Sequence, residues 1–570
     1  MRVLVLHPDE NPKRAGHSRN WDMVVDLANG GPASHRQYSE LFHCPFVSVP
    51  KAGPAEFRRV AAAFGFGQGR LVDDLGFDWW KLLSIRFYEQ MLHLFTLERL
   101  FQTCPREAEF FTTRSSFQSQ VLKLIRPGRV HDLPRPPGRF ARGAHVTRRV
   151  LRLRPRQVLE ILADKYDGDY RIRRSFVRSS RRLRGPLVLL PSAYENASRT
   201  AFAYARALPD VNFLLVATRQ NARLKASPQN VAQSHLASYA LPSGDNQELT
   251  RLLMAWECLL DEFWHHHELS ILIKTGCFEI MPPLLKQGLA IRDSWLNVFD
   301  SEPVAAVLSS DEMNWLTRLP ILIAQRRGLP ALACHHGALD VRYSFQKTSA
   351  DKFLVKGEME RDYLIEVCNC SPEQLEIAAP YSEVSVRNKR AQQSIVFFSE
   401  PYESFGGRGR EFYREILPNL AQVAEEYGCE LVLKLHPYES WRERSRLARS
   451  VLPVRQRKLL RVLDGPLRKE LLRRTWFAMT ISSSAALDSA LEDVPVFLCE
   501  WLDISCAGYT GEFIKFGVAR ELPSANAILN VPQLLAAHQS VNTHELWQSV
   551  EPERLRHLLF GHTVMCTHDP

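Results

Sequence analysis

The sequence has no long apolar run, no paired cysteines at metal spacing and no repeat, and each absence removes a class of protein. Hydrophobic residues make up 45% of the 570 positions, yet no stretch of them approaches the roughly 20 residues of a membrane-spanning helix. The eleven cysteines are odd in number and scattered. They lack the spacing of a zinc site, so reduced thiols in the cytoplasm are the expectation. No zinc-finger spacing, RRM signature or helix-turn-helix with interleaved aromatics is present, which argues against nucleic acid as a partner. Self-similarity at a period of 20–50 residues, the mark of a solenoid or propeller, is also missing. The opening, Met1-Arg-Val-Leu-Val-Leu-His7-Pro-Asp-Glu10, turns acidic too soon for a signal peptide and reads as a first strand.

Charge is plentiful and unevenly spread. The chain carries a formal net charge of +10. Between Arg135 and Arg184, fifteen Arg and one Lys stand against Glu160, Asp164, Asp167 and Asp169, a local +12. An anionic membrane surface, an anionic glycan acceptor or a plain solvated face would each account for such a segment. A second stretch, Asp78 to Leu100, opens on Trp79 and Trp80 and repeats apolar residues at three- and four-residue steps. It reads as an amphipathic helix with Asp78 as N-cap, its aromatics either core or a hydrophobic supplement at a membrane interface.

The remaining pattern is strand, turn, helix, strand. Short apolar runs at 187–190, 211–217, 304–308, 330–334, 395–399, 430–434, 477–481 and 494–498 read as buried parallel strands, with helices between them. Ligands of open α/β sheets bind at the carboxyl ends of such strands. Five strand ends carry polar groups suited to chemistry. Glu430-Leu-Val-Leu-Lys434-Leu-His436-Pro437 ends one of them, and Thr480-Ile-Ser482-Ser483-Ser484-Ala-Ala-Leu-Asp488 follows another. The serines would offer hydroxyls and N–H groups to a phosphate at a helix start. Asp311 and Glu312 follow the strand at 304–308, and His336 follows the strand at 330–334; each is a candidate base. Tyr194, Glu195, Asn196 and Arg199 form the turn after 187–190 and are candidates on the acceptor side. No Asp-x-Asp pair stands at a strand end, since Asp167-Gly-Asp169 follows a helix. Hence no obligatory metal and no other cofactor is expected. The triplet His265–His267 reads as a helix-surface cluster, because consecutive helical residues point in different directions.

The K-x-H-P and S-S-x-x-x-x-D elements, in this order, resemble the C-terminal domain of GT-B glycosyltransferases. The nearest groups are bacterial polysialyltransferases, capsule Kdo transferases and CDP-glycerol glycerophosphotransferases, which share a cytidine-activated donor. UDP-N-acetylglucosamine 2-epimerases have a related layout. The resemblance implies that Lys434, His436, Pro437, Ser482, Ser483, Ser484 and Asp488 bind the donor, and that a His-Gly pair such as His336-Gly337 lies beside the reacting carbon. It also implies inversion by direct displacement. The chain departs from these groups too. It lacks the acidic-acidic-glycine motif of polysialyltransferases, it has Thr480-Ile481 before the serines, and Leu487-Asp488-Ser489 replaces the paired glutamates of epimerases.

The expected fold is α/β, with two doubly wound Rossmann-like domains facing a central cleft. Residues 1–390 would form an acceptor-side domain with a helical insertion at about 50–180. Residues 391–523 would bind the nucleotide, and 524–570 would be a helical tail returning to the body. The expected function is metal-independent transfer of a sugar or glycerophosphate from a CMP- or CDP-linked donor to a glycan or lipid-linked acceptor, in surface or capsular polysaccharide synthesis. The expected location is the cytoplasm, with peripheral attachment to an anionic membrane. An epimerase-like enzyme and a non-catalytic nucleotide- or glycan-binding scaffold are the alternatives.

Overall fold

The computed structural model describes residues 1–7, 10, 20–28, 31–48, 52–113, 116–133, 170, 185–241, 247–337, 339, 341–380, 393–405, 407–502 and 509–561. Apart from Tyr170, the basic segment 135–184 and the helix expected at 155–165 lie outside the described residues.

Three parallel sheets form from short apolar runs. The first contains β1 (Arg2–Leu6), β2 (Met23–Asp26), β3 (Phe46–Ser48), β4 (Glu109–Thr112) and β5 (Val130–Asp132), in the order β3-β2-β1-β4-β5. The second contains β6 (Leu187–Ser192), β7 (Asn212–Ala217), β8 (Val231–His235), β9 (Val304–Ser309), β10 (Ala331–Cys334), β11 (Lys352–Val355) and β12 (Leu375–Ile377), in the order β12-β11-β10-β9-β6-β7-β8. The third contains β13 (Ser394–Phe398), β14 (Glu430–Lys434), β15 (Leu460–Leu463), β16 (Thr475–Thr480), β17 (Val496–Cys499) and β18 (Arg520–Leu522), in the order β15-β14-β13-β16-β17-β18. Their central strands are buried on both faces, as a parallel sheet covered by helices requires: Leu187, Val188, Leu189 and Leu190 are all at 0% exposure. Each sheet starts in its middle, winds outward, then returns to the other side of its first strand. That reversal is the switch point at which doubly wound sheets hold ligands. It falls between β6 and β9 in the seven-stranded sheet and between β13 and β16 in the six-stranded one.

The described residues form two compact units. One draws on 1–54, 92–137 and 383–546, the other on 55–91, 138–382 and 547–570. The reading of 1–390 as one domain with a helical insertion therefore meets a third sheet instead. β4 and β5 lie inside the stretch assigned to the insertion. The extra sheet escaped notice because β2, β3 and β5 have only four, three and three residues, too few to show a period. The tail at 524–570 is likewise divided between the units at 546. Its last helix, Pro552–Phe560, buries Leu555 and Leu559 in the core beside the seven-stranded sheet.

Within the first unit, Arg408 closes the carboxyl edge of the five-stranded sheet. Its Nε donates to Asp26 Oδ2 at 2.8 Å and its Nη2 to Asp26 Oδ1 at 2.5 Å, with both side chains buried. Further bonds reach the carbonyls of His7 and Glu10 at 3.2 and 2.6 Å. Removing one partner of such a buried pair costs about 3–5 kcal/mol, because the other charge is stranded.

Within the second unit, Asp78 caps the helix Trp79–Leu83 by accepting the Lys81 N–H at 3.0 Å. Trp79 and Trp80 are at 0% exposure. Trp80 lies 4.8 Å from Phe263 and 5.8 Å from Phe278, ring centre to ring centre. These aromatics are core, which removes them as a membrane supplement. Among the described residues, no helix is long and apolar enough to cross a membrane.

Candidate functional site

At the six-stranded sheet, β14 runs through Lys434 into His436 because Leu431–Leu433 are interior. Lys434 does not reach outward. Its ammonium donates to the carbonyls of Leu435 and Gly465 at 2.8 and 2.6 Å, and desolvation pushes its pKa down. His436 is half-buried. Desolvation, and then the Lys434 charge, lower its pKa, so the ring is neutral near pH 7. The Tyr438 N–H donates to its Nδ1 at 3.2 Å, which leaves the ring proton on Nε2 as a directed donor. Behind it, Glu439 accepts the His436 N–H at 2.9 Å, the Ser399 hydroxyl at 2.9 Å and Arg444 Nε at 2.7 Å. Pro437 is exposed and lies three residues beyond the end of β14.

The serine turn is partly occupied by the protein itself. Glu400, at the end of β13, accepts the Ser482 N–H at 3.0 Å and the Ser482 hydroxyl at 3.1 Å. The Ser483 N–H donates to Thr480 Oγ1 at 3.1 Å, and the Ala485 N–H to Ser483 Oγ at 3.3 Å. Ser484 begins the helix Ala485–Leu491, and its hydroxyl caps nothing there. The cradle expected of all three serines is thus narrowed to the hydroxyls of Ser483 and Ser484, since a carboxylate already holds Ser482. Asp488 lies on the exposed face of that helix.

At the seven-stranded sheet, the ends of β6, β9 and β10 bring Tyr194, Asp311, His335 and His336 together. Asn314 Nδ2 donates to the Tyr194 hydroxyl at 3.0 Å, and Asn314 also caps the helix Trp315–Arg326. The Tyr194 ring lies 6.2 Å from that of His336, and the two histidine rings are 4.7 Å apart. His336 Nδ1–H donates to the Ser310 carbonyl at 3.3 Å. That leaves Nε2 with its lone pair outward, the form a general base needs.

His335 was not singled out by the sequence, although its ring nitrogens, the Asp311 carboxylate and His336 all offer atoms within 4.8 Å of one another. Two imidazoles and a carboxylate suit a transition metal, and sequence spacing did not reveal the group because Asp311 arrives from a different strand. The tautomer of His335 opposes this use. The Gly337 N–H donates to His335 Nδ1 at 3.2 Å, so Nε2 carries the proton and neither nitrogen presents a lone pair. Asp311 and His335 are buried, at 3% and 5% exposure.

Glu312 is corrected from candidate base to interior group. It is at 0% exposure. Its Oε2 accepts the Ser349 N–H at 2.9 Å, and burial raises its pKa against the opposing pull of Arg318. Glu195, Asn196 and Arg199 are exposed on the helix Glu195–Ala207, where Arg199 pairs with Glu195. Only Tyr194 of the four acceptor-side candidates touches the histidines.

No protein-family model matches the chain, and no curated protein does. Solved structures do show similarity. UDP-GlcNAc 2-epimerase from Methanocaldococcus jannaschii aligns over 66% of this chain and 99% of its own, at 10% identity and a TM-score of 0.41. The calicheamicin glycosyltransferase CalG4 aligns over 66% and 94%, at 13% identity and 0.38. The lipopolysaccharide outer core galactosyltransferase WaaB aligns over 66% and 95%, at 10% identity and 0.36.

Proposed function

We propose that the chain is a GT-B-like transferase that moves a sugar or glycerophosphate unit from a nucleotide-activated donor. The observation that carries this reading is His436, a neutral imidazole whose Nε2–H is presented at the carboxyl edge of a doubly wound sheet. A directed donor of this kind stabilises charge developing on a leaving phosphate. With Lys434 and Ser482 already engaged, the donors left are His436 Nε2–H and the hydroxyls of Ser483 and Ser484. Such a set suits one phosphate better than two, which favours a CMP-linked donor over CDP- or UDP-linked ones.

In this reading His436 Nε2–H, in the first unit, hydrogen-bonds the phosphate oxygen that leaves the donor, and His336 Nε2, in the second unit, is the candidate base for the acceptor hydroxyl. The resemblance implies direct displacement with inversion and no obligatory metal. The +12 of segment 135–184 supports peripheral attachment to an anionic membrane, where a lipid-linked acceptor for surface polysaccharide would be met. Thermal shift tests the donor assignment. CMP should raise the Tm more than CDP or UDP at equal concentration, and His436→Ala should abolish the shift. A larger shift with UDP would favour the epimerase-like alternative.

A further inference from the structure

In the second unit, positive charge gathers along one groove, whose lining includes a single carboxylate, Glu195. The helix Glu195–Ala207 sets Arg199, Phe202 and Arg206 on a single face, and the loop that follows β7 brings Arg223 and Lys225 opposite them. The groove between has a volume of about 730 Å³. Arg199 pairs with Glu195. Among the described residues no carboxylate pairs with Arg206, Arg223 or Lys225, and all three are exposed. The same two elements converge at the candidate base. Tyr194 immediately precedes the helix, and Arg219 begins the loop, its guanidinium 5.2 Å from the Tyr194 ring centre. Among the described residues Arg219 has no acidic partner either. Desolvation and then the charge of Arg219 lower the pKa of Arg86, so a second guanidinium shares this corner. Like charges gathered without counter-ions destabilise the free protein and are relieved by an anionic ligand.

We infer that this groove binds the acceptor as an anionic glycan, its acidic groups along Arg206, Arg223 and Lys225 and its growing end delivered by Arg219 towards Tyr194 and His336. The inference rests on the transferase reading for the identity of the ligand as an acceptor. Carboxylate sugars and phosphodiester-linked units share the required chemistry. A single-stranded nucleic acid would also be anionic, but it depends on successive aromatic platforms for its bases, and the aromatic lining this groove, Phe202, is buried.

Calorimetric titration of the full-length chain with a galacturonate trimer, a glycerol-phosphate trimer, neutral galactotriose and a single-stranded oligonucleotide of equal charge tests this. At least one acidic trimer should bind, weakening as salt rises, and the better of the two identifies carboxylate or phosphate as the source. Galactotriose should not bind. The triple variant Arg206→Glu/Arg223→Glu/Lys225→Glu, altered only at exposed positions, should lose affinity at least about tenfold, or ~1.4 kcal/mol. Equal binding of the neutral trimer, an unaffected triple variant, or tighter binding of the oligonucleotide would overturn the inference. The CMP thermal shift, measured on the same samples, separates the two readings. Its absence alongside intact trimer binding would fail the transferase assignment only, and the reverse would fail the groove only.

Discussion

Glu400 accepts both the N–H and the hydroxyl of Ser482, at 3.0 and 3.1 Å, and so places a carboxylate of the protein where a phosphate oxygen would otherwise bond. This pairing limits how much phosphate the serine turn can take. In Glu400→Ala the two donors are released and a negative charge is removed. The affinity for CDP relative to CMP should then rise about tenfold, or ~1.4 kcal/mol, by calorimetry. An unchanged ratio would show that Glu400 does not set the number of phosphates bound.

His436 gives a pH signature. Its folded pKa lies below the ordinary value, first through desolvation and then through the Lys434 charge. In the unfolded chain the ring takes up a proton near pH 6.5, which the folded ring resists. Its contribution to stability is therefore complete above pH 6.5 and is lost as pH falls through the folded value. Replacing it by Gln should flatten the decline of Tm between pH 6.5 and 5. Parallel declines in the two proteins would contradict the neutral, desolvated ring.

His336 is separable from nucleotide binding. His336→Gln should reduce transfer by roughly 10²–10⁴, the usual range for a general base, while leaving the CMP thermal shift intact. Chelation should leave wild-type turnover in place, because His335 gives its Nδ1 to the Gly337 N–H. Inactivation by EDTA with recovery on adding Mn²⁺ or Zn²⁺ would return Asp311, His335 and His336 to the role of metal ligands.

Gly288 tests the packing beneath the second unit. It lies in the buried helix Met281–Ser301, and a β-carbon there would stand 2.7 Å from Trp79 Cη2 and closer still to Cζ3. Ala ordinarily gains about 1 kcal/mol over Gly inside a helix. Here the overlap with an immobile indole, whose Nε1 is bonded to Asp73 at 3.0 Å, should cost about 1–3 kcal/mol. Gly288→Ala is thus expected to lower the Tm, and a rise would show that Trp79 can move.

Much of the fold was legible where strands are long and wholly apolar. β6, β7, β9, β10, β13, β14 and β16 each announce themselves, as does the cap at Asp78. β8, with its adjacent polar residues Gln233 and Ser234, and the three-residue strands β3, β5 and β18 do not. The site was legible in residue type more than in role. His436 and His336 stand at strand ends, as their neighbours in the sequence imply. The inward turn of Lys434, the burial of Glu312 and the capture of Ser482 by Glu400 depend on contacts between distant segments, which a local pattern does not encode. His335 escaped for the same reason, since its partner Asp311 comes from the adjacent strand.

The most direct test is nucleotide release from the purified chain, incubated with CMP-linked and UDP-linked sugars together with an acidic oligosaccharide acceptor. The expected result is acceptor-dependent release of CMP, reduced by about 10²–10³ in His436→Ala, the range for loss of one directed donor. Release from neither donor, or a rate unaltered by His436→Ala, would contradict the account.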